Sequence, residues 1–229
     1  WTGAAWYGEP GAALATSLSK IGTNTVPTNR SYDLTFESLS GDLMVIWGID
    51  ATADPRYVIK PAGGAWGSTV TATALIEEGT NLDISSSPIS DKIAYTNTTD
   101  NGGDSDFSIW SGSAWGTGVN DTTSRTIVVG DGGNNVEWLV DGTNEVAIYT
   151  YGDSATGGID WYTSTNGGQP TAQTDNTAAP AVAGFDRFGF AKSMAGAGNK
   201  ALFAFGDSNS DIFLKEATLT GTSVVWSNP

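Results

Sequence analysis

Short apolar runs bounded by turn residues recur along the whole chain. Each run spans about four to eight residues, either as a solid block or in alternation with polar positions, which is typical of β-strands. Four runs share a fuller pattern, in which a turn residue and an Asp or Asn precede an apolar stretch with aromatic rings: 41–47, 90–95, 143–149 and 198–205. We therefore expect four equivalent strands.

Further strands flank each of these runs. The upstream strand begins with an apolar residue and an acid, and the sequence predicts it at 32–36, 82–84, 136–140 and 185–190. The downstream strand is expected at 57–59, 107–110, 159–162 and 212–214. A fourth short strand is expected to close the unit at Trp66, Trp115 and Trp226, while the third copy has 167–170 in place of the tryptophan. Helices are not expected, because 71–78 and 178–183 lack an apolar stripe.

Four short antiparallel strands that repeat about every 50 residues are the signature of a β-propeller blade, since one twisted sheet cannot bury both faces without neighbours. The sequence therefore predicts an all-β, β-propeller-like fold with about four four-stranded blades plus an N-terminal orphan hairpin. The expected single domain divides into residues 1–8 for the orphan hairpin, 9–29 for a linker, and 30–75, 76–128, 129–176 and 177–229 for blades 1 to 4.

The orphan hairpin is the phrase WTGAAW, which returns as WSGSAW at 110–115 and as PAGGAW at 61–66. In this phrase a strand ends, glycine permits a tight connection, and a tryptophan begins the next strand. Three explanations of the orphan hairpin remain open. The chain is a piece of a longer repetitive polypeptide, the hairpin closes a ring against the C-terminal blade, or Trp1, Trp6 and Tyr7 are donated to a neighbouring subunit for assembly.

Composition excludes several classes of function. With 10 Lys and Arg against 25 Asp and Glu, the net charge of −15 repels a phosphate backbone, so nucleic acid is not an expected partner. The lack of Cys and His excludes disulfides, thiolate chemistry, Ser-His-Asp triads and His-ligated zinc. No apolar run approaches the ~18 residues that span a bilayer, so no membrane span is expected.

Thirty Gly and abundant Ser, Thr, Asn and Asp are typical of secreted, turn-rich β proteins. The composition therefore predicts an extracellular or cell-surface location. A chain that begins at Trp1 is expected to have lost its N-terminus by processing or to have been cut from something longer.

The segments at 30–37 and 40–47, together with the W-x-G-x-A-W hairpins, resemble the repeats of large secreted bacterial surface proteins with sialidase-like or integrin-like β-propeller blades. The resemblance covers residues 30–227 and implies an exported, modular, mainly non-catalytic protein. A local stretch at 164–171 is similar to the Asp-box turn of sialidases, with Asn166 in place of the Asp and Thr171 in place of the Trp.

From these features we expect a non-catalytic extracellular or cell-surface binding or assembly module. It would be a subunit of a surface filament or a fragment of a larger adhesin-like repeat protein, with self-assembly or other surface proteins as partners. The alternative is a carbohydrate-binding or sialidase-like glycosidase domain. A sialidase needs three converging arginines, a tyrosine with a glutamate partner and an acid, whereas the chain holds only Arg30, Arg56, Arg125 and Arg187. An enzyme is therefore not the main interpretation.

The acidic loop at 100–106 is the candidate metal site. Asp100, Asp104 and Asp106 place three carboxylates within seven residues, an oxygen density that suits calcium. The alternative is a set of Asx-turns in solvent, and no other cofactor is expected.

The recurring acids and the tryptophans each have a structural and a functional interpretation. The acids Asp33, Asp83, Glu137 and Asp186 recur once in every repeat, which favours a role in blade geometry over one active site. Most tryptophans occupy repeat slots that predict packing between blades, and Trp161 beside Tyr162 is the better candidate for an exposed carbohydrate contact.

Three Asn-x-Ser/Thr sequons provide candidate glycosylation sites. They begin at Asn29, Asn97 and Asn120. The strand prediction puts all three in loops, where a glycan would not disturb a strand ladder.

Overall fold

A computed structural model describes residues 31–49, 54–75, 81–98, 104–121, 134–153, 158–173, 185–192, 198–207 and 211–227. The predicted orphan hairpin, the linker at 9–29 and Arg30 therefore lie outside the described residues. So do the three candidate assembly residues Trp1, Trp6 and Tyr7.

The described residues form sixteen strands in four sheets, each of four antiparallel strands in chain order. Blade 1 comprises β1 (Tyr32–Phe36), β2 (Leu43–Trp47), β3 (Arg56–Lys60) and β4 (Val70–Thr71). Blade 2 comprises β5 (Asn81–Ser86), β6 (Ile93–Thr98), β7 (Ser105–Trp110) and β8 (Val119–Asp121). Blade 3 comprises β9 (Asn134–Asp141), β10 (Asn144–Asp153), β11 (Gly158–Thr165) and β12 (Thr171–Ala172). Blade 4 comprises β13 (Phe185–Lys192), β14 (Lys200–Asp207), β15 (Ile212–Thr220) and β16 (Ser223–Ser227).

The four sheets stack face to face through apolar clusters. One cluster joins blades 1 and 2 around Met44 and Tyr95, a second joins blades 2 and 3 around Trp138, and a third joins blades 3 and 4 around Leu219. The first strands of adjacent blades touch one another, since β5 contacts β1 and β9, and β9 contacts β13. The predicted all-β, β-propeller-like fold of four four-stranded blades is confirmed.

Two ends of the stack can be distinguished. At the entry end the first and third strands of each blade begin, and the links between blades enter. At the turn end lie the hairpins that join the first strand to the second and the third to the fourth. No helix of the described part of the chain is long and apolar enough to cross a membrane.

The recurring acids join one blade to the next. The Asp33 carboxylate accepts a hydrogen bond of 2.9 Å from the Ile84 N–H, and the Asp83 carboxylate accepts the same bond from the Val136 N–H. Glu137 instead accepts from the Ser85 hydroxyl at 3.0 Å and from the N–H of its own neighbour, Trp138, at 2.7 Å. These bonds support the structural interpretation of the acids.

The fourth strands differ from the expectation in blades 1 and 2. Trp66 lies outside any strand, and Trp115 makes only an isolated bridge to Trp110. Regular pairing resumes four residues after each tryptophan, at β4 and β8, because the chain first makes a local contact such as that of the Gly116 N–H with the Ile109 carbonyl. In blade 4 the predicted strand at Trp226 is present, as part of β16.

The segment similar to an Asp-box forms the turn between β11 and β12. Asn166 has φ of 51°, a left-handed conformation that Asn tolerates better than most residues. Its side-chain oxygen accepts a hydrogen bond of 3.0 Å from the Glu145 N–H. Here the segment stabilises a turn.

Candidate functional site

The candidate site lies at the entry end, between blades 2 and 3. In blade 2 one cross-strand row consists only of polar residues: Asn81, Thr98, Ser105 and Asp121. Side chains of one such row share one face of a sheet. Because Asp121 contacts two tyrosines of blade 3, this row faces blade 3.

Blade 3 presents a matching polar row to the same space. Asn134, Tyr151 and Asp160 are cross-strand partners on β9, β10 and β11. The Tyr151 hydroxyl donates to the Asp121 carboxylate at 2.8 Å, so this second row faces blade 2. We call the two rows, with Tyr162, the 2–3 site: Asn81, Thr98, Ser105, Asp121, Asn134, Tyr151, Asp160 and Tyr162.

Hydrogen bonds and ring stacking hold the 2–3 site in place. The Tyr162 hydroxyl donates to the same Asp121 oxygen at 2.9 Å, and both tyrosine rings stack on Phe107, with centroid distances of 4.5 Å for Tyr162 and 5.4 Å for Tyr151. The Asn134 amide donates to the Asn81 carbonyl at 3.0 Å. The aromatic rings thus form a rigid base beneath the polar groups.

Burial makes this polar site unusual. Asp121 is half-buried, whereas Asp160 and Asn134 are buried. The hydroxyl of Ser105, next to Asp121 in its row, is fully buried and has no hydrogen-bond partner among the described residues. A buried polar group without a partner is costly and calls for an explanation, for which a bound ligand is one physical candidate.

The chemistry available at the 2–3 site is that of carboxylates, amides and hydroxyls. Carboxylates and amides bind the hydroxyl groups of a sugar through several directed hydrogen bonds. Asp121 and Asp160 also provide two carboxyl groups on facing blades, which is the residue pair that glycoside hydrolysis requires. The site therefore suits a polyhydroxylated ligand.

The predicted calcium ligands do not belong to this site. Asp100 lies outside the described residues, Asp104 precedes β7, and Asp106 is buried within β7. Asp106 shares its row with Asn97 and Asn120, and this row faces blade 1, since successive residues of a strand point to opposite faces. Among the described residues, no group of three or more acids, histidines or cysteines is arranged to hold a metal ion, and calcium binding stays a prediction.

Trp161 and Tyr162 are buried rather than exposed. Trp161 faces blade 4 and packs edge-on against Trp226, with ring centroids 5.6 Å apart. Tyr162 faces blade 2, because neighbours along a strand alternate between faces. The two rings therefore do not form the exposed carbohydrate platform that the sequence suggested, although the Tyr162 hydroxyl belongs to the 2–3 site.

Three of the tryptophans pack between blades as expected, namely Trp115, Trp138 and Trp226. Trp47 is buried instead in a cluster of blade 1 residues alone, and Trp66 has 38% of its surface exposed. Trp6, the remaining tryptophan of this set, lies outside the described residues.

The sequons at Asn97 and Asn120 lie in strands instead of loops. Asn97 is fully buried in β6, where its side-chain oxygen accepts a bond from the Asn81 N–H, and Asn120 lies in β8. The predicted loop location is wrong for both, because β6 and β8 extend further toward the entry end than their apolar residues indicate. Asn29 lies outside the described residues.

Only one of the four arginines, Arg56, has a described side chain. Arg56 is exposed on β3, and Arg187 lies on β13. Arg30 and Arg125 lie outside the described residues. The arginine triad of a sialidase therefore receives no support from the described side chains.

A second polar cluster joins blades 2 and 3 at the turn end. The buried Glu145 carboxylate accepts hydrogen bonds from the side chains of Lys92, Ser87 and Ser90. Burial acts to raise the pKa of Glu145, but these three hydrogen bonds and the Lys92 charge outweigh it, so its pKa lies below the ordinary value. Every member has a partner, which indicates a structural role.

Sequence reasoning missed the acids of the 2–3 site. The sequence predicts a strand over Asp160 and marks Asp121 only as the middle residue of a sequon. The available signal was the position of both acids at the entry end of their strands, yet the strand ends themselves were not apparent from the apolar pattern. Their proximity depends on how blades 2 and 3 stack.

Comparison with known proteins gives matches among solved structures alone. No protein-family profile matches the chain, and no curated protein sequence matches it either. An endo-1,4-beta-xylanase from Bacteroides thetaiotaomicron is 12% identical, with a TM-score of 0.44, covering 86% of this chain and 75% of that one. The catalytic domain of a Coprinopsis cinerea GH62 alpha-L-arabinofuranosidase is 10% identical, with a TM-score of 0.42, covering 92% and 70%.

A fructofuranosidase from Schwanniomyces occidentalis, complexed with fructosylnystose, is also similar. It is 13% identical, with a TM-score of 0.39, and the match covers 86% of this chain but only 45% of that chain. At such identities and scores, the activity of this chain has to be argued from its own residues.

These comparisons correct the prediction of function. The structures named above are carbohydrate-active enzymes, and none is named as a surface, filament or adhesion protein. The main prediction of a non-catalytic binding or assembly module is therefore wrong, as is the prediction that the chain is not an enzyme. The carbohydrate alternative is the one that remains.

Proposed function

We propose that this chain is a carbohydrate-active domain that binds a saccharide at the 2–3 site. The observation that carries the proposal is the half-buried Asp121 carboxylate, which ends a wholly polar row of blade 2 and accepts from the Tyr151 and Tyr162 hydroxyls of blade 3. Asp121 would accept a further hydrogen bond from a sugar hydroxyl.

Binding to a saccharide panel tests the proposal. The panel holds xylan, arabinofuranosides and fructofuranosides among other glycans, and binding is measured by glycan array and then by titration calorimetry. We expect Asp121→Asn to weaken binding about tenfold or more, since the sugar hydroxyl loses a charged acceptor. Asp141→Asn is the matched control, because Asp141 also joins two blades but lies at the turn end, where it accepts from the Gly221 N–H. Equal losses in Asp121→Asn and Asp141→Asn would contradict the proposal.

Glycoside hydrolysis is the second candidate function. It is favoured by two carboxylates on facing blades, Asp121 and Asp160, each next to Tyr151 through a hydrogen bond or cross-strand pairing. One carboxyl group would donate a proton to the leaving oxygen while the other acts on the sugar or on water. Release of reducing sugar from the same panel tests this, and it should fall at least about a hundredfold in Asp121→Asn and in Asp160→Asn. If the parent chain binds saccharide but releases no reducing sugar, hydrolysis is refuted and only saccharide binding remains.

We further propose that the protein acts outside the cell and derives from the secreted bacterial surface proteins whose blades it resembles. The supporting features are the glycine-rich composition and the abundance of Ser, Thr, Asn and Asp. Immunodetection in culture medium, in a cell-surface fraction and in a lysate of the source organism tests the location. Detection in the lysate alone would contradict it.

A further inference from the structure

The tryptophan that closes each blade packs on the blade before it. Trp115 of blade 2 lies edge-on to Tyr57 of blade 1, with centroids 6.3 Å apart, and Trp226 of blade 4 lies edge-on to Trp161 of blade 3, at 5.6 Å. Trp66 closes blade 1, where no described residues form a preceding blade, and it is partly exposed. The closing tryptophan is therefore directed toward the preceding blade in the two cases where a preceding blade is described.

The far face of blade 4 has no described neighbour. The residues of β14, β15 and β16 that point away from blade 3 include Leu202, Leu214 and Val225, with 36%, 44% and 58% of their surfaces exposed. Residues one position along, such as Ala201, Ala217 and Trp226, face blade 3 and are buried or packed against it. This far face thus exposes apolar side chains beside the Lys200–Glu216 ion pair and lacks a cover among the described residues.

The N-terminus carries the hexapeptide that fits this face. WTGAAW at 1–6 matches WSGSAW at 110–115, whose two indoles both belong to the cluster between blades 1 and 2 and lie 5.6 Å apart. Gly112 in that turn has φ of 94°, and Gly3 holds the equivalent position in the first hexapeptide. Thirty residues precede Ser31. At up to about 3.3 Å per residue, this length can reach from blade 1 to the far face of blade 4.

We propose that residues 1–7 of the same chain dock on the far face of blade 4, with Trp6 as the closing tryptophan, and thereby link blade 4 to blade 1. This inference does not depend on the proposed carbohydrate function. It deepens one of the three explanations that the sequence leaves open for the orphan hairpin.

The protection of a single thiol tests the docking. The chain contains no cysteine, so Leu214→Cys introduces one reactive group on the far face of blade 4. We expect its reaction with a thiol reagent to be about tenfold or more slower in the full chain than after a further Trp6→Ala change, because docking has to open before the thiol reacts. Trp66→Ala is the matched control, since Trp66 has the same place in its hexapeptide but lies on blade 1. It should leave the rate unchanged.

Two more cysteine variants separate docking from unfolding. Leu39→Cys in the exposed turn after β1 should react fast in every background, and Met44→Cys, buried between blades 1 and 2, should stay protected. If Trp6→Ala exposes Met44→Cys, removal of residues 1–8 replaces it as the comparison. Equal reaction rates of Leu214→Cys with and without the hairpin would overturn the proposal. Protection that is lost on dilution would also overturn it, because the hairpin would then come from a second copy.

Discussion

At the residue scale, buried carboxylates connect adjacent blades by accepting hydrogen bonds from the neighbouring blade. The Glu37 side chain of blade 1 is buried and accepts a bond of 2.6 Å from the indole N–H of Trp110 in blade 2. Trp138 is as buried as Trp110, but its indole N–H donates to a neutral group, the Ser85 carbonyl, at 2.8 Å. The two tryptophans thus provide a matched pair that differs in the charge of the acceptor.

Replacing each of these tryptophans by phenylalanine should separate the two kinds of bond. Both variants lose packing volume, but a bond to a charged group contributes about 1.5–3 kcal/mol against about 1 kcal/mol for a neutral one. We therefore expect Trp110→Phe to lower the free energy of unfolding by about 1 kcal/mol more than Trp138→Phe. Chemical denaturation measures both values, and a larger loss in Trp138→Phe would refute the assignment.

Glu145 should make stability depend on pH in the acid range. Its pKa in the folded chain lies below the ordinary value of 4.5, so the folded state binds its proton less readily than the unfolded state. This contribution is complete above that ordinary value and is lost as the pH falls through the lowered pKa. Glu145→Gln should cost about 2 kcal/mol at pH 7, because Ser87, Ser90 and Lys92 lose a charged acceptor. In acid, the free energy of unfolding of Glu145→Gln should approach that of the parent chain.

Denaturation curves from neutral to acid pH measure this difference. Glu216→Gln is the control, since Glu216 pairs with Lys200 on the surface, where such a pair contributes little. A gap between the parent chain and Glu145→Gln that stays constant down to the lowest pH would contradict the account.

At the element scale, the turn between the third and fourth strands is the most recognisable unit of the chain. Gly63 and Gly112 hold equivalent positions in two of the hexapeptides, with φ of 69° and 94°. A Cβ on Gly63 would meet nothing within 4 Å, whereas a Cβ on Gly112 would lie 3.3 Å from that of Asp91. The two turns therefore share a backbone constraint but differ in their surroundings.

Alanine at each of these glycines should show that difference. Gly63→Ala is expected to cost about 1 kcal/mol, the ordinary penalty of a positive φ, while Gly112→Ala should cost more because Asp91 has to move. Asp91 accepts bonds from the Leu39 and Ser40 N–H groups of blade 1, so its movement also loosens a contact between blades. Thermal denaturation of both variants measures the effect. Equal melting temperatures would show that Asp91 is not held as described.

The strands were predictable to the extent that apolar residues mark them. β1 begins and ends where the pattern predicts, because the alternation from Tyr32 to Phe36 is unbroken. β6 and β7 extend further, through residues such as Asn97 and Ser105, since polar side chains there are buried between blades. The fourth strands of blades 1 and 2 shifted because a tryptophan at the turn marks packing between blades, not the start of pairing.

At the scale of the whole molecule, the repeat determines the fold but not the site. Four similar units predict stacked sheets, and the recurring acids Asp33 and Asp83 link successive blades as a repeated structural role implies. The 2–3 site departs from the repeat, since Asp121, Asp160 and Tyr151 converge only after two particular blades stack. A pattern read along one chain does not contain that juxtaposition.

The face-to-face stacking of blades underlies every interpretation above, and one introduced disulfide tests it directly. A Cβ on Gly198 of blade 4 would lie 3.5 Å from that of Val140 in blade 3, which is within the range of about 3.5–4.5 Å for disulfide-bonded cysteines. We predict that Val140→Cys with Gly198→Cys oxidises to a disulfide with no free thiol left, as measured by thiol titration under denaturing conditions. The control pair, Val140→Cys with Gly63→Cys, should keep both thiols. Two free thiols in the first pair, under conditions that leave the protein folded, would contradict the stacking of the blades.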